Sequence, residues 1–536
     1  MTPEPAQPGQ TGKPELAANA SVGIVGGGLA GLAAACALSD AGYKVTLFER
    51  RPYLGGRASS YVHPGTGEVV DNCQHVLLGC CTNLLDLYRR LGVEDRIRWY
   101  DRLTYIEPGG RRGILEPSGL PSPLHALPAF FRFPLLSLRD KLTIAMGMLS
   151  LIEGIPADHG GSFLQWLKRH GQTEQAVRRF WSPVLVSTLN EELGNVSIHY
   201  GAMVFRDAFL KSAQAGRMGL PSVPLSELYG VAAEYIRGRG GEVVLRAAIE
   251  RIDANQRRAW VKLRGNPGTS LNDDEAVRGR SAAPTDGEGE RRDFDYLISA
   301  VPFQVLAKLI PPEMQSDALR EDLAQLRTSP ITGIHFWFDR EVTELEHAVL
   351  LDRTIQWMFQ KSKILCPAMR NARIVGTLED QPAGMPETPN EHPGTSTAGL
   401  PKGSYLELVV SASHTLVEKS RAEVLRLALE ELGEFFPAVK TARVVKATVI
   451  KEIQATFTPA PGVDRYRPRQ QGPWPRIFLS GDWTATGWPA TMEGAVRAGY
   501  AAAEALTTAH GEHRRFLIPD LAAQGWMGLF ERRSGG

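Results

Sequence analysis

The sequence predicts an α/β fold, in which a Rossmann-type nucleotide-binding domain is assembled from separate stretches of the chain and joined to a mixed α+β domain. Three observations predict it: a strand and glycine-rich turn near the start, a second strand–turn–helix pattern near the end, and alternating strand and helix patterns between them. The 536 residues are enough for two or three domains around a sizeable core.

The first element is a buried strand followed by a glycine-rich turn. Residues 22–25 form a short apolar run rich in β-branched side chains, which is typical of a parallel strand. Gly26, Gly28 and Gly31 follow with the spacing G-x-G-x-x-G. The first glycine permits the tight turn, the second lets a pyrophosphate approach the backbone, and the third lets a helix pack close to the strand.

The helix after this turn is predicted over residues 29–40. It begins at Leu29 and Ala30, so its first N–H groups and the positive end of its dipole face the phosphates. A second strand over residues 44–48 ends at Glu49, which is placed to accept hydrogen bonds from ribose hydroxyls. Because strand, turn, helix, second strand and acid occur together, a nucleotide site is favoured over a glycine-rich turn without a ligand.

A second glycine turn follows, in which Gly55 and Gly56 precede Arg57. Here the chain resembles the superfamily of flavin-containing amine oxidases and phytoene desaturases, whose fingerprint continues from the acid into Gly-Gly-Arg. Arg51 matches a basic position of that fingerprint. The resemblance implies FAD rather than NAD, bound by a discontinuous domain like that of glutathione reductase.

Composition excludes several classes of function. The net charge is +1 and 22% of residues are charged, so no basic excess indicates nucleic acid as a partner. Five cysteines in so long a chain are not a disulfide framework, and a reducing cytoplasm is expected. Cys73, Cys80 and Cys81 cluster with His75, but their spacing fits none of the usual zinc patterns, so buried thiols are favoured and no metal is expected.

The middle of the chain is predicted to be largely helical and apolar. Residues 123–156 are dense in Leu, Phe, Met and Pro, with interspersed cations. They form either ordinary core helices of a second domain or the mouth of an apolar channel resting on a membrane surface. Residues 162–228 read as several helices suited to a lid over an apolar substrate.

Strand patterns return in the second half of the chain. Residues 241–252 form one such pattern, and the resemblance implies that the backbone at Ile249 contacts adenine. Strands over 331–338 and 404–411, with a helix over 417–436, are expected in the substrate domain. No lysine occurs in the segment 332–335, which approaches the flavin in related folds, and this absence disfavours amine oxidation.

The closing pattern, near the end of the chain, repeats the order of strand, turn and helix seen in the first. A strand over residues 477–479 leads to Asp482, which can hold ribitol hydroxyls, and an Ala-rich helix follows over 490–505. Backbone amides at this helix start can hold negative charge at the N1–C2=O region of the flavin. The cofactor-binding candidates at the helix start are Met492, Glu493, Gly494 and Ala495.

These patterns give a domain prediction. The FAD-binding domain comprises residues 21–75, 225–303 and 471–510, and the substrate domain comprises 76–224 and 304–470. The remaining predicted segments are a disordered tail over 1–20, flexible insertions over 265–292 and 380–402, and a C-terminal tail over 511–536. No run of about 20 apolar residues predicts a spanning helix.

Five blocks narrow the resemblance. NCQHVLLGCCTNLLDLYRRLG, RFWSPVLVSTLNEE, SPITGIHFWFDR, QWMFQK and GDWTATGWPATMEGAV together resemble the hydroxysqualene dehydroxylase family. The resemblance covers about residues 21–510 and implies an FAD-dependent oxidoreductase that reduces hydroxysqualene to squalene in squalene and hopanoid biosynthesis. It also implies a long apolar triterpenoid substrate and other enzymes of squalene synthesis as partners.

Two alternatives remain open. A carotenoid-type desaturase or isomerase, like phytoene desaturase, would act on a long polyene. A non-catalytic prenyl-binding chaperone of the GDP dissociation inhibitor fold would lack flavin, and the intact Gly-Gly-Arg and Asp482 disfavour it. The flavin is expected to be noncovalent, because S-cysteinyl flavin in this superfamily uses a cysteine near the closing pattern and no cysteine occurs beyond Cys366.

The resemblance also assigns provisional catalytic roles. The loop over 73–75 would lie near the flavin ring, where His75 is either the proton donor for the leaving hydroxyl or a structural histidine. Gln74 would orient that hydroxyl. Peripheral attachment to the inner face of the cytoplasmic membrane is expected from residues 123–156 and from the apolar and basic residues 514–533, which form either an interfacial segment or a docked helix.

Overall fold

The computed structural model describes residues 20–156, 158, 160–264, 289–365 and 403–534. Residues 1–19 of the predicted tail, 265–288 of the first predicted insertion and all of the second lie outside the described residues. The first insertion was predicted to end at residue 292, which is wrong, because residues 291–294 form a strand that pairs with residues 259–262.

Strands and helices alternate along the chain, as an α/β fold requires. The strands are β1 (Ser21–Val25), β2 (Lys44–Phe48), β3 (Ser60–Val62), β4 (Val69–Asp71), β5 (Leu77–Leu78), β6 (Ile97–Tyr100), β7 (Leu103–Ile106), β8 (Arg112–Leu115), β9 (Met218–Pro221), β10 (Glu242–Val244), β11 (Ile249–Ala254), β12 (Ala259–Leu263), β13 (Arg291–Phe294), β14 (Tyr296–Ser299), β15 (Thr328–Phe338), β16 (His347–Leu350), β17 (Trp357–Gln360), β18 (Ser404–Ser411), β19 (Val444–Phe457) and β20 (Ile477–Leu479). The α-helices are α1 (Leu29–Asp40), α2 (Thr82–Leu91), α3 (Leu127–Arg132), α4 (Leu138–Ile152), α5 (Phe163–Arg169), α6 (Glu174–Ala176), α7 (Ser182–Leu189), α8 (Ile198–Val204), α9 (Leu225–Gly230), α10 (Ala232–Arg237), α11 (Phe303–Leu309), α12 (Asp317–Gln325), α13 (Lys361–Ile364), α14 (His414–Val417), α15 (Arg421–Phe435), α16 (Met492–Ala509) and α17 (Met527–Ser534).

A five-stranded parallel sheet forms the nucleotide-binding half, in the order β10-β2-β1-β14-β20. Its strands come from the start, middle and end of the chain, and this confirms the predicted α/β class and Rossmann-type arrangement. Helices α1 and α16 pack against each other beside this sheet. Their close approach depends on Gly499, where an added Cβ would collide with the carbonyl oxygen of Ala30.

A seven-stranded mixed sheet dominates the other half, in the order β19-β15-β18-β17-β16-β7-β8. The long strand β15 pairs antiparallel with β18 on one side and β19 on the other. An apolar core formed with α15 packs beside this sheet, through side chains that include Phe336, Leu408 and Leu432. The predicted strands over 331–338 and 404–411 therefore lie side by side in one sheet.

Helices α3–α8 form an apolar body with an aromatic centre. Phe163, Trp181 and Phe205 are fully buried there and contact one another. Two short π-helical segments, Val177–Trp181 and Phe205–Leu210, supply part of this cluster. The helical character predicted for residues 162–228 is therefore observed, although β9 interrupts it near its end.

Two local predictions were wrong for the same physical reason. Leucines at helical spacing over residues 77–91 predict a helix there, but residues 77–78 pair with β9 and the helix begins at Thr82. The single strand predicted over 241–252 is two strands, β10 and β11, which belong to different sheets. In both cases tertiary pairing overrides a short apolar pattern that is compatible with either structure.

Residues 77–97 and the chain after residue 511 pack onto the nucleotide-binding half. Leu84, Leu87 and Tyr88 share one core with α1 and α16, although the predicted domain boundary lies at residue 76. Phe516 is buried in the same core. Residues 512–524 form no helix, so Phe516 docks this part of the segment on the nucleotide-binding half without the docked helix that was one alternative for residues 514–533.

None of the helices within the described ranges combines the length and apolarity needed to cross a bilayer.

Candidate flavin site and active site

The first glycine turn has the geometry that a dinucleotide site needs. Gly26 has φ +111°, and an added Cβ at Gly31 would collide with the carbonyl oxygen of Gly26. Gly28 differs, because among the described residues an added Cβ there would meet only the Cα of Gly56, at 3.8 Å. Gly31 therefore serves internal packing, whereas the missing side chain of Gly28 leaves room for a ligand.

Glu49 is buried and braces the two glycine turns. One carboxylate oxygen accepts the N–H of Gly27 at 2.8 Å and the other accepts the N–H of Arg51 at 2.8 Å. Arg51 in turn donates from Nη1 to the carbonyl oxygen of Gly56 at 2.9 Å. Each carboxylate oxygen keeps a second lone pair, so these bonds position Glu49 and leave it able to accept from a ribose hydroxyl.

The second glycine turn lies directly against the first. Gly55 donates its N–H to the carbonyl oxygen of Gly27 at 2.9 Å, and both Gly55 and Gly56 have positive φ, at +104° and +63°. An added Cβ at Gly56 would lie 2.8 Å from the Cα of Gly28. The close contact of the two backbones explains why Gly56 cannot carry a side chain.

Arg57 joins the two halves of the molecule. It donates from Nη2 to Oδ1 of Asp482 at 2.7 Å and from Nη1 to the carbonyl oxygen of Ala455 at 2.5 Å. The buried Arg467 donates from Nη2 to the carbonyl oxygen of Asp482 at 3.0 Å, which fixes that residue's backbone. Asp482 therefore uses one carboxylate oxygen for Arg57, in addition to the ribitol role predicted for it.

A small cavity opens beside this ion pair, between the two sheets. It encloses about 230 Å³ of empty volume. Its lining includes Arg57, Phe303, Gln454, Phe457, Asp482 and Trp483.

The start of α16 lies at the carboxyl end of the parallel sheet. Thr491 caps it by accepting the N–H of Gly494 on Oγ1 at 3.0 Å, while the N–H of Ala495 bonds the Thr491 carbonyl at 3.0 Å. The sulfur of Met492 accepts the Tyr229 hydroxyl at 3.5 Å. Thr491 takes the N–H of Gly494, and Ala495 bonds within the helix, so the N–H groups of Met492 and Glu493 remain for the predicted flavin contact.

The carboxylate of Glu493 is engaged by α2, so the cofactor role predicted at this helix start concerns only the backbone N–H of this residue. Its fully buried carboxylate accepts the N–H groups of Asn83, at 3.1 Å, and Leu84, at 2.7 Å. It also accepts from Nε of Arg497 at 2.7 Å. These contacts place it at the N-terminal end of α2, where a carboxylate offsets the unpaired N–H groups and the positive dipole.

The segment at Ile249, for which the resemblance implies a contact with adenine, is held close to Glu49. Glu49 donates its N–H to the carbonyl oxygen of Val244 at 2.9 Å, and Ala247 donates its N–H to the carbonyl oxygen of Glu49 at 2.9 Å. Ile249 follows two residues later, opposite Leu263 at an irregularity between β11 and β12. The backbone of Ile249 is thereby held near the acid that ends β2.

The loop over 73–75 is constrained and largely satisfied within the protein. Cys73 has φ +66°, a conformation that non-glycine residues rarely adopt. Nδ1 of His75 is 2.9 Å from the Cys73 carbonyl oxygen, and burial lowers the pKa of His75. The imidazole is therefore neutral at pH 7, which disfavours the proton-donating role predicted for it. Gln74 is engaged at both ends, accepting from Lys361 on Oε1 and donating to the His75 carbonyl.

Lys361, which sequence reasoning did not single out, lies at the centre of a buried ionic cluster. Its Nζ is 2.6 Å from Oδ2 of Asp71, 2.8 Å from Oε1 of Gln74 and 3.5 Å from Oε2 of Glu407. The exposed fractions of the Lys361, Asp71 and Glu407 side chains are 2%, 4% and 0%. We call Asp71, Lys361 and Glu407 the ionic cluster.

The two carboxyl groups of the ionic cluster are in different states. Asp71 accepts from the Ser60 hydroxyl at 2.5 Å, from the Leu225 N–H at 3.3 Å and from Lys361, and these partners lower its pKa despite burial. Neither oxygen of Glu407 has a hydrogen bond within the described part of the chain, and burial raises the pKa of Glu407 to about 8. At neutral pH the cluster is therefore a carboxylate, an ammonium and a protonated carboxylic acid, with no net charge.

His335 lies across the strand pair from Glu407 and has an unused nitrogen. Its Nδ1 is 2.9 Å from the Tyr405 hydroxyl, while Nε2 has no hydrogen bond among the described residues. Burial lowers the pKa of His335 to about 3, so this ring is neutral. A Cβ added at Gly333 would lie 3.5 Å from that Nε2 and 3.0 Å from the Cys73 sulfur, so Gly333 packs closely against both side chains.

The structure places a lysine beside the loop over 73–75 that the argument from residues 332–335 did not consider. Residues 332–335 contain none, but Lys361 from α13 reaches the loop over 73–75 across 287 residues of sequence. The only local signal was that Lys361 ends the block QWMFQK and Asp71 ends a strand before the loop. Neither position indicates which residue it will contact, so the contact between Lys361 and Asp71 could not be inferred from spacing.

Comparison with known proteins agrees with this geometry. Residues 29–507 match the family described as flavin containing amine oxidoreductase. A probable zeta-carotene desaturase of Synechococcus elongatus is 27% identical over 91% of this chain and 98% of its own length. The 15-cis-phytoene desaturase of the same organism is 26% identical over 92% of this chain and 97% of its own length.

Solved structures show the same fold at low identity. An oxidoreductase from Methanosarcina mazei has a TM-score of 0.63 and 16% identity, covering 89% of this chain and 98% of the other. Cyclohexylamine oxidase from Brevibacterium oxydans has a TM-score of 0.59 and 16% identity, covering 92% of this chain and 100% of the other. The residues described above fit the FAD that such a family carries, because Gly28 leaves room for a pyrophosphate and two helix starts face the same sheet edge.

Proposed function

The chain belongs to the flavin containing amine oxidoreductase family, and we propose that this FAD-dependent oxidoreductase reduces hydroxysqualene to squalene at a membrane surface. The hydroxyl leaves as water after gaining a proton, and reduced FAD supplies the hydride that forms the new C–H bond. The substrate would be a long apolar triterpenoid, and other squalene-synthesis enzymes would work beside it on the inner face of the membrane.

The observation that carries the substrate class is an exposed apolar stripe on α4. Leu138, Leu142, Met146 and Leu149 have exposed fractions of 67%, 51%, 67% and 62%. Their spacing places them on one face of the helix. A soluble surface rarely leaves such a row in water, whereas a helix lying in a bilayer interface requires one.

Other exposed apolar side chains lie in the segments next to α4. The C-terminal segment meets the loop before α3, because Trp526 donates its N–H to the Ser122 carbonyl at 2.9 Å. Arg132 and Arg139, which are also exposed, flank the stripe and suit lipid headgroups. The further exposed apolar residues in these segments are Leu120, Phe131, Leu517, Trp526, Leu529 and Phe530.

The direction of the reaction is supported by the hydroxysqualene dehydroxylase blocks in the sequence and by the chemistry of the substrate. The hydroxyl of hydroxysqualene is allylic, so its loss leaves a delocalised cation that an apolar site shelters from water. Hydride transfer to carbon then completes the reduction.

Carotenoid desaturation is the second candidate. The names of the two Synechococcus elongatus relatives favour it, since both act on carotenoids by name. A desaturase runs in the opposite direction, with oxidised FAD accepting hydride from an alkane carbon. A prenyl-binding chaperone is a third candidate from another class, and a colourless purified protein would support it.

An anaerobic single turnover separates these candidates. Dithionite-reduced protein mixed with hydroxysqualene should return to yellow FAD while squalene forms stoichiometrically. Absence of flavin reoxidation with hydroxysqualene, together with flavin reduction by phytoene, would replace the first candidate with the second. Flavin that remains on the polypeptide after acid precipitation would contradict noncovalent binding.

Flotation with phospholipid vesicles tests the membrane surface. The double variant Leu142→Ser/Met146→Ser should bind vesicles at least about tenfold more weakly, because two exposed side chains no longer enter the bilayer. The matched control is Val445→Ser/Ile453→Ser, which removes two exposed apolar residues of β19. Equal flotation of both variants, or none by the unmodified protein, would contradict the proposed surface.

A further inference from the structure

We propose that Glu407 is the general acid of this site. Within the ionic cluster it stays protonated, and it donates this proton to the departing hydroxyl. The inference rests on the proposed function, because only a dehydroxylation needs a proton donor for an oxygen leaving group. It assigns the proton to a residue of the substrate-domain sheet and not to the loop over 73–75.

Glu407 lies where the loop over 73–75 meets the sheet of the substrate domain. Glu407 on β18 pairs in register with His335 on β15, two residues from Gly333, which packs against Cys73 of the loop over 73–75. Lys361 contacts it from one side at 3.5 Å, and the backbone of Gln74 faces the same carboxyl. Glu407 thus lies between the loop expected near the flavin ring and the sheet of the substrate domain.

Hydrogen bonding decides which carboxyl group holds the proton. The three donors on Asp71 stabilise its charge, whereas Glu407 has no hydrogen-bond donor within the described residues and only the ammonium at 3.5 Å. A buried carboxyl group with so little support keeps its proton, and its raised pKa of about 8 agrees. One ammonium between two carboxyl groups therefore leaves Asp71 ionised and Glu407 neutral.

The other titratable groups around Glu407 are poorer donors. Lys361 directs its protons at Asp71 and Gln74, and the Asp71 carboxylate raises the pKa of Lys361 despite its burial. His335 is neutral, and burial and nearby carboxylates raise the pKa of the Cys73 thiol well above its usual range. Tyr405, whose hydroxyl contacts His335, also has a raised pKa because it is buried. Glu407 is the only one of these groups whose pKa lies close to neutrality.

The proposed step balances as a two-electron reduction. The C–O bond of the allylic alcohol breaks while the Glu407 proton moves to the departing oxygen, which leaves as water. Reduced FAD supplies the hydride, so the substrate carbon is reduced and the flavin is oxidised. The carboxylate left on Glu407 is stabilised by Lys361 at 3.5 Å until it regains a proton from solvent.

Single-turnover kinetics of Glu407→Gln test the assignment. The variant should reoxidise its flavin with hydroxysqualene about 10²–10⁴-fold more slowly, because the amide cannot donate a proton to the leaving oxygen. Glu407→Asp should recover part of the rate. The matched control is Glu431→Gln, a buried carboxylate of the same domain that accepts the N–H groups of Thr354 and Ile355, and it should keep the full rate.

The unmodified protein provides two readouts that need no variant to fold. Its single-turnover rate should decline above about pH 8. Its infrared spectrum should show a protonated carboxylic acid near pH 6, and this band should disappear above about pH 8. The band should be present in flavin-free protein and absent from Glu407→Gln. A carboxylic acid band that persists in Glu407→Gln, or a full rate in that variant, would overturn the assignment.

These outcomes distinguish the two proposals. If the unmodified protein never reoxidises with hydroxysqualene, the proposed function fails, whatever the infrared spectrum shows. If it does reoxidise and Glu407→Gln is as fast, only the general acid is wrong.

Discussion

The flavin end and the ionic cluster are built in opposite ways. The flavin end uses backbone groups and missing side chains, and residues 26–57 supply most of it from one continuous stretch. The ionic cluster uses side chains alone, and its two closest partners, Asp71 and Lys361, are 290 residues apart. A backbone site therefore depends on shape, whereas a buried side-chain site depends on charge balance, and the two should fail in different ways.

The largest loss of stability is expected when Gly31, which serves internal packing in the flavin end, is replaced. Gly31→Val should lower the free energy of unfolding by more than about 4 kcal/mol, because its side chain collides with the Gly26 carbonyl. Urea unfolding followed by circular dichroism measures it. Gly154→Val is the control, since a Cβ there meets nothing described within 4 Å, and similar losses in both variants would contradict the packing role.

The next largest effect belongs to the ionic cluster. Lys361→Met should lower the free energy of unfolding by about 3–5 kcal/mol, because it leaves buried Asp71 without its cation. The control is Lys363→Met, which breaks a more exposed pair with Glu341 and should change the same quantity by less than about 1 kcal/mol. Equal unfolding midpoints in the two variants would show that the cluster is not charge-balanced as described.

The third effect depends on pH and isolates Glu407. Its pKa in the folded protein, about 8, lies above the ordinary value of 4.5, so its contribution to stability is complete below pH 4.5 and is lost as pH rises through 8. Glu407→Gln should therefore become progressively more stable than the unmodified protein over this range, by about 1.4 kcal/mol per pH unit at most. Urea unfolding at several pH values measures the difference, and a constant difference would contradict the protonated state.

The smallest effect on stability is expected for a substitution of Gly28, which also lies in the flavin end. Gly28→Val should change the unfolding free energy of the flavin-free protein by no more than about 1 kcal/mol, because the added side chain enters space left for the ligand. Its flavin content should nevertheless fall to below about a tenth. Absorbance after gel filtration measures the flavin, Gly154→Val is again the control, and a yellow Gly28→Val protein would contradict the ligand space.

The difference in construction also explains what could be predicted from sequence. The strand, glycines, helix and Glu49 are contiguous, so their spacing alone predicted the fold class and the nucleotide end. Lys361 and Glu407 have no such spacing, because tertiary pairing of β17 and β18 brings them to Asp71. Only the structure shows that Lys361 and Glu407 lie beside Asp71.

Side-chain contacts within the predicted site could not be predicted from spacing either. Glu493 follows Met492 at the helix start predicted to hold the flavin, and the helical rotation between neighbours turns its carboxylate toward α2. His75 was chosen for its ordinary pKa, which burial lowers. Sequence spacing indicates which backbone reaches a site, whereas side-chain direction and burial decide what each residue does there.

The ion pair between Arg57 and Asp482 has a consequence for synthesis of the chain on the ribosome. Its partners are 425 residues apart, so at translation rates of about 5–20 residues per second roughly 20–90 s pass between their emergence. Throughout that interval α1 has no α16 to pack against, and the α4 stripe is exposed from the time that residue 149 has emerged. The nascent chain must therefore spend this time with apolar surface uncovered, which makes early contact with a bilayer or a chaperone an advantage during biogenesis.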